Sequence, residues 1–365
     1  MTQWYPHPED VQNGVFIKHQ AVGLAKHHRV TVIWVGPSES ATRMVATEDR
    51  DYGEQLLEVR VRYPRNRRAL GKAMALKKAL TSVEKPDVVH LNVLDRDFPI
   101  WELWLKKIQK PFIIHEHASL YFKNYQKDGL WHASRKRLVR NAFRVCPVSR
   151  GLKNAMIDNG LEGRYVVVPN ILDVPESVER KPKSDHLMLV SIGDLVNDIK
   201  RFHKIIKALK KLPGPWEYHI IGDGVDREVL ELLAKDQFGS DLSRNVVFKG
   251  RLSQAEIQGK LPRFHIFLAN SRYETFGLAA LEALNAGVPV LSSPVGVIQK
   301  YLREGQNGMI VDNYKDYAEK IGQLWDRYDE LDLQLMLPKD REELSADGFV
   351  DRIHAMYRQL GLFVD

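Results

Sequence analysis

The stretch 271–290, SRYETFGLAALEALNAGVPV, constrains this chain more than any other. The six residues before it, HIFLAN (265–270), form a short apolar run that reads as a buried strand. Polar turn residues and Glu274 follow. An apolar-periodic run over 276–284 then predicts a helix, which stops at Asn285-Ala286-Gly287, just ahead of Pro289. The order is strand, sharp loop, helix N-terminus. A helix start offers unpaired backbone N–H groups and the positive end of a dipole, which suits a phosphate. Thr275 is placed to cap it. Glu274 and Glu282 stand eight apart, one before the helix and one two turns inside it. Two carboxylates beside an anion site repel a phosphate, so both are better used on hydroxyls, of a sugar or a ribose. An ordinary strand–helix unit with a salt-bridged helix is the plainer reading of the same residues.

The rest of the chain bounds what can surround this stretch. Its 365 residues, 44% of them hydrophobic, suffice for a large core and suggest two domains. No apolar run approaches 18 residues, and no basic stretch followed by an apolar one marks a signal peptide, so a cytoplasmic protein is expected. The single cysteine, Cys146, fits a reducing compartment and reads as a small buried apolar residue. The net charge of +7 is uneven: residues 1–170 carry 28 Lys and Arg against 17 Asp and Glu, whereas 171–365 carry 26 against 30. A basic half suits an acidic partner, such as an anionic lipid surface or a phosphate-bearing acceptor. The sequence contains no helix-turn-helix, RNA-recognition or zinc-finger pattern, so no nucleic-acid partner is expected.

In the N-terminal half a turn at Asn13-Gly14 precedes a helical run over 15–25, and RVTVIWV (29–35) reads as a strand. Further strands are expected at LLEVRVRY (56–63), DVVHLNV (87–93), PFIIHEH (111–117), VCPVS (145–149) and YVVVPN (165–170). Apolar strands alternating with helices argue for a parallel sheet covered on both faces. Strand alternation puts His115 and His117 on one side and Glu116 on the other. The segments 63–80, 101–110 and 131–140 interleave Lys and Arg with bulky apolar residues, as interfacial helices do. A polar stretch over 174–186 reads as a linker. A second alternation follows: LMLVSIGDL (187–195), EYHIIGDG (217–224), NVVFKGRL (245–252), HIFLAN, PVLSS and GMIVD (308–312).

The run YETFGLAALEALNAGVPVL, with SSPVG and EGQNGMIV after it, resembles the E-x7-E region of the retaining, family 4 (group 1) glycosyltransferases of GT-B fold. The resemblance covers nearly the whole chain. It implies two Rossmann-like α/β domains facing across a cleft, over 1–173 and 174–345, with a last helix over 346–365 returning to the first. Members of this family begin with an apolar strand before a Trp-Tyr-Pro-like loop. Here only three residues precede Trp4-Tyr5-Pro6, so that strand is expected to be missing or vestigial.

By resemblance, His117 reaches the donor sugar near the reacting carbon, Glu274 grips sugar hydroxyls, and Glu282 holds the ribose. Lys200 and the amides of Phe276, Gly277 and Leu278 hold the diphosphate. Gly14 and Gly296 are phosphate- or sugar-facing turns, Gly222 is a tight turn beside the donor, and Arg251 lies where members hold the base. The family often has an arginine six residues before the lysine, where this chain has Asp194. That aspartate is expected to turn away from the diphosphate or to hold a basic neighbour such as Arg251, and Arg201 could supply the second cation. The implied activity is transfer of a hexose from a nucleoside diphosphate sugar, UDP-linked in preference to GDP-linked, to a sugar or lipid-linked hydroxyl. Bacterial surface polysaccharide or glycolipid synthesis is the implied setting, on the inner face of the membrane. No metal or other cofactor is expected; Asp95-Arg96-Asp97 has the letters of a metal motif but lies in the acceptor half. The rival readings are a sugar-nucleotide epimerase, a phosphorylase, and a non-catalytic sugar-nucleotide-binding protein.

Overall fold

A computed structural model describes the chain except for residues 8–9, 11, 39–46, 52–54, 65–67, 82, 95–97, 124, 126–128, 174–180, 240–242, 332–335 and 363–365. Arg65 and Arg67 of the basic segment, the Asp95-Arg96-Asp97 run and the first half of the expected linker lie outside the described residues. Two compact units result, one of Met1–Ile171 with Ala346–Asp365, the other of Leu172–Ser345.

The first unit runs α1 (Val15–Ala25), β1 (Val30–Ser38), β2 (Thr47–Asp51), β3 (Leu56–Pro64), α2 (Arg68–Thr81), β4 (Val89–Asn92), α3 (Phe98–Ile108), β5 (Phe112–Glu116), α4 (Gly129–Asn141), β6 (Arg144–Pro147) and α5 (Arg150–Asp158). The second runs β7 (Leu187–Ile192), α6 (Asn197–Lys200), α7 (Phe202–Leu209), β8 (Trp216–Ile221), α8 (Arg227–Phe238), β9 (Arg244–Gly250), α9 (Gln254–Lys260), β10 (Ile266–Ala269), α10 (Leu278–Asn285), β11 (Val290–Ser292), α11 (Ile298–Tyr301), β12 (Gly308–Ile310), α12 (Tyr317–Asp326) and α13 (Pro338–Leu344). A last helix, α14 (Ala346–Gln359), belongs to the first unit.

The first unit holds two three-stranded sheets, ordered β1-β3-β2 and β4-β5-β6. Met1 and Thr2 lie between β1 and β4. Thr2 N–H donates to Ile33 C=O at 3.0 Å, and Asn92 N–H donates to Met1 C=O at 2.9 Å. These two residues therefore bond to β1 on one side and β4 on the other, doing between the sheets what a strand would do. One strand was not expected, and one that was expected does not form. The polar segment TEDRD, with no apolar alternation, forms β2, antiparallel to β3. YVVVPN (165–170) is an extended segment and forms no full strand. Val166 and Val168 donate to Val145 and Pro147 of β6, and the pairing stops at Pro169, which has no N–H.

Helix α14 stays with the first unit because its apolar stripe is buried there. Phe349, Val350, Ile353, Met356 and Tyr357 pack with Leu24, Ile113, Cys146, Val168 and Ile171. Their spacing is that of one helical face. Burying each such side chain fully contributes roughly 1.5–3 kcal/mol. Cys146 lies within this cluster, fully buried.

The second unit has one six-stranded sheet, ordered β12-β11-β10-β7-β8-β9, all of its pairs parallel. Helix α7 covers it with Phe202, Ile205, Ile206 and Leu209, at i, i+3, i+4 and i+7. At the N-terminal edge the imidazole of His265 is completely buried. Its Nδ1 accepts from Met188 N–H at 2.8 Å, and its Nε2 lies 3.0 Å from Pro182 C=O, so the ring is the neutral tautomer with its proton on Nε2. Trp325 and Tyr328 stack edge-on against it.

Burial holds His265 down at about 4 and His115 at about 3. An unfolded histidine takes up a proton near 6.5, so the stability these rings contribute is complete above that pH. It is lost as pH falls from about 6.5 towards the folded values, at up to about 1.4 kcal/mol per pH unit for each ring. The urea midpoint should therefore drop between pH 7 and pH 5. His265→Asn should lower the midpoint at pH 7 but flatten this slope; an unchanged slope would remove His265 from the acid sensitivity.

Candidate active site

The strand order of the second unit sets where a ligand can bind. The chain starts at β7, steps outward through β8 and β9, and returns to the other side of β7 with β10, β11 and β12. Open parallel sheets bind ligands outside the carboxyl ends of the strands, where the order reverses. Here that point lies between β7 and β10. Lys200 follows β7 and Glu274 follows β10, and the Lys200 ammonium forms an ion pair with Glu274 Oε1. Ser271 Oγ donates to the same oxygen at 2.8 Å. Arg272 N–H donates to Ile199 C=O at 2.7 Å, tying the two loops through their backbones. A side chain at Gly193 would meet the Lys200 stem at 3.2 Å, so the glycine leaves room for the lysine.

The loop after β11 completes the floor of the site. Gly296 has φ 69°, and a Cβ there would lie 2.5 Å from Phe276 C=O and 3.0 Å from the Glu274 Cβ. Only glycine fits against the Glu274–Phe276 turn in that conformation. Val297 N–H donates to Phe276 C=O at 2.9 Å, which pins the turn from outside.

The helix start differs from the sequence expectation by two residues. Helix α10 begins at Leu278, and its cap is Gly277 in the left-handed conformation, φ 96°. Thr275 therefore does not cap the helix, and Phe276, with its side chain buried, precedes it. The apolar period ran through Phe276, but the turn into the helix needs positive φ, which glycine supplies. The first helical bond is Leu281 N–H to Gly277 C=O, so the free amide row is Leu278, Ala279 and Ala280. Two turns on, Glu282 is half-buried, and its Oε1 accepts from Gln254 Nε2 at 2.7 Å. Burial, and secondarily the nearby Asp173, push the Glu282 carboxyl upward; Gln254 pulls it back.

The remaining residues chosen from the second half lie around this point. Asp194 pairs with Arg251 at 3.4 Å, both well exposed. Gly222 N–H donates to Gly250 C=O at 2.8 Å, and the residue packs so closely on the Gly193 carbonyl that no side chain fits. Arg201 sits at the α6–α7 junction with φ 51°. Burial lowers its pKa most, with Arg272 adding repulsion.

In the first unit, Gly14 caps α1 with φ 64°, and a Cβ there would lie 2.4 Å from the Trp4 carbonyl carbon. The glycine turn and the Trp-Tyr-Pro loop are thus in backbone contact. Phe16, one residue into α1, packs tilted against His117 with ring centroids 4.5 Å apart. Both ring nitrogens of His117 are buried without a hydrogen-bond partner among the described residues, and so is Asn170 Oδ1. Burial holds His117 at about 3, with His115 lowering it further and neighbouring Asn170 raising it, so the ring is neutral at pH 7. His115 does not join it: His115 Nε2 bonds His90 Nδ1 at 3.0 Å. Glu116, on the opposite side, accepts from the N–H groups of Leu94, His117 and Ala118 and from Tyr121 Oη. That buried carboxylate fixes the turn carrying His117. Sequence reasoning singled out none of Glu116, Asn170, Gln254 and Ser271; only the alternation that opposed Glu116 to the histidines hinted at one of them.

Two family models match the chain one after the other. The model described as Glycosyltransferase Family 4 matches residues 14–175, and that described as Glycosyl transferases group 1 matches residues 174–335. The lipopolysaccharide core biosynthesis glycosyltransferase LpsE of Rhizobium meliloti is 32% identical over 165 residues, 44% of this chain. The match spans 44% of that relative's own length, less than half of it. Among solved structures, a sucrose-phosphate synthase from Thermosynechococcus elongatus superposes with a TM-score of 0.75 at 17% identity, covering 98% of this chain and 95% of that one. The Anabaena protein HepE, solved with UDP, gives 0.70 at 15% identity, covering 90% of this chain and 100% of that one. Their likeness is one of fold, and the family models carry the assignment: this chain belongs to the group 1, family 4 glycosyltransferases of GT-B fold.

Proposed function

We propose that this protein is a retaining glycosyltransferase. It moves a hexose from a nucleoside diphosphate sugar, UDP-linked in preference to GDP-linked, to a hydroxyl acceptor in bacterial surface polysaccharide or glycolipid synthesis. The observation that carries the reading is the Lys200–Glu274 pair astride the β7/β10 switch point, three residues ahead of the α10 cap. Without ligand, each group satisfies the other. A diphosphate draws Lys200 to itself and leaves Glu274 free to accept from sugar hydroxyls, while the α10 amides hold phosphate oxygens. As the bond from the sugar carbon to the diphosphate breaks, the acceptor oxygen bonds that carbon on the same face, and its proton passes to the departing phosphate oxygen. Lys200 and the amide row offset the charge that grows there, without a metal ion. A neutral His117 has one N–H donor and one lone pair, both uncommitted, which suits sugar hydroxyls near the reacting carbon.

The Asp194–Arg251 pair leaves Lys200 without a second cation from the usual position. Lys200→Ala should then cut single-turnover transfer by on the order of 100-fold or more, while donor affinity falls much less, because the lost interaction grows in the transition state. Asp194→Arg should leave transfer equal or faster. A Lys200→Ala enzyme with normal transfer would sink the charge-offset role. A wild-type protein that binds donor but never transfers would favour the non-catalytic reading, and one that changes the sugar without acceptor would favour an epimerase.

The same proposal places the protein in the cytoplasm, against an anionic membrane surface that presents a lipid-linked acceptor. No helix among the described residues is long and apolar enough to cross a membrane. On the paired helices α3 and α4, Leu103, Leu130 and Trp131 are exposed, by 69%, 84% and 48%, among exposed Lys106, Lys107, Lys136, Arg137 and Arg140. Apolar tips within a basic field match an interfacial surface. The protein should sediment with anionic vesicles and less with neutral ones, and salt should release it as the screening length shortens to about 3 Å at 1 M. Joint Leu130→Ser and Trp131→Ser replacement should weaken sedimentation several-fold; equal binding to both vesicle types, or to neither, would leave a soluble acceptor.

A further inference from the structure

The partner of Glu282 is held in place by an element of its own. Helix α9 starts at Gln254, and the residue before it, Ser253, closes a capping box with Glu256. Ser253 N–H donates to Glu256 Oε2 at 2.8 Å, and Ser253 Oγ accepts from Glu256 N–H at 3.3 Å. The backbone that carries Gln254 is thus fixed at the first position of a capped helix. Its side chain crosses to α10 and meets Glu282 Oε1 at 2.7 Å.

The direction of that amide follows from chemistry. An ionised carboxylate only accepts, so the Gln254 NH2 must face it and the Gln254 carbonyl must face away. Neither Gln254 Oε1 nor Glu282 Oε2 has a hydrogen-bond partner among the described residues. Two acceptors on neighbouring side chains are therefore left open. A cis-diol carries two O–H donors on adjacent carbons and needs two such acceptors. A hydroxyl that takes the Gln254 carbonyl spares Glu282 Oε1, which already accepts from Gln254, a second donor.

We infer that Gln254 is a specificity-determining residue for the donor nucleotide: Gln254 and Glu282 together read the ribose diol, one hydroxyl each, with the Gln254 amide orienting the carboxylate. The inference rests on the reading of Glu282 as the ribose-binding carboxylate. Electrostatics agree with it. Burial and Asp173 both disfavour the charged form of Glu282, and Gln254 is the neighbour that favours it. Without Gln254 the site would lose one acceptor directly and weaken the other.

Calorimetric titration of the full chain with UDP, 2′-deoxy-UDP and 3′-deoxy-UDP tests this, with the GDP series as a second set. The wild type should prefer the ribonucleotide by about tenfold, the worth of roughly 1.4 kcal/mol. Gln254→Leu should raise the UDP dissociation constant about tenfold and that of one deoxy analogue far less, so that discrimination at one hydroxyl collapses. Gln254→Glu sets carboxylate against carboxylate. Its UDP binding should be poor at pH 8 and recover towards pH 6, as the two groups share a proton. Equal weakening of all three nucleotides by Gln254→Leu would reduce Gln254 to a tether between α9 and α10 and overturn the inference, as would unaltered affinities. Glu282→Gln separates the two levels. If it weakens UDP while the Gln254 variants bind and discriminate normally, only the inference falls. If it leaves UDP affinity unchanged, the ribose reading falls and takes the inference with it.

Discussion

The parallel pairing of β10 against β7 is the constraint on which the second unit depends. Ile266 and Phe267 register with Leu189 and Val190, and Ser191 Oγ bonds both Leu268 C=O and the Tyr218 hydroxyl. This pairing places β10 beside β7 although two other strands of the sheet, β8 and β9, intervene in sequence. Every loop in the candidate site leaves from the same sheet edge because of it. Break the pairing, and Lys200 and Glu274, 74 residues apart in sequence, lose their common origin. The tight glycines are consequences. Gly222 and Gly296 let neighbouring loops close on the two sides of that origin, at distances a side chain would forbid.

Electrostatics then decide what the site can hold. Lys200 and Glu274 are each about three-quarters buried, exposed by 26% and 22%. Removing either member would leave the other partly buried and unpaired, so the unliganded pair is a mutual protection more than a source of stability. A ligand that carries both an anion and hydroxyls can separate the pair without stranding either member. A plain anion would leave Glu274 uncompensated, and a neutral sugar would leave Lys200 so. This coupling is a physical reason for the site to prefer a sugar attached to a phosphate over either part alone.

Much of the architecture was legible because it rests on short-range pattern. Apolar runs bounded by turn residues gave the strands of the six-stranded sheet and helix α1 over its full span. What was not legible depends on partners distant in sequence. β2 has a polar sequence and exists because β3 offers it an edge. Met1 and Thr2 act as a strand only between β1 and β4. The two-residue error at α10 had a local signal, since Gly277 marks the left-handed turn, but the apolar period of Phe276 outweighed it. In the site, residue types at the E-x7-E spacing could be named from sequence. The partner of Glu282 could not, because Gln254 stands 28 positions before it.

Asp194 shows how a departure from the family pattern can be absorbed. An unpaired carboxylate near a diphosphate would oppose binding through Coulomb repulsion. Here its charge is met by Arg251, so the two together add little net field. Being 70% and 50% exposed, they also gain little stability from each other, since such pairs contribute about 0–1 kcal/mol. The pair is therefore cheap to form and cheap to open. Arg251 is held at the carboxyl end of β9 without being locked there, and the positive potential at the β7/β10 switch point comes from Lys200 and the α10 amides. Those amides are backbone groups fixed by Gly277, Gly296 and the Val297 N–H bond to Phe276. A site whose anion affinity rests on backbone can lose a side-chain cation and keep its shape, because removing the arginine removes no part of the loop that presents the amides.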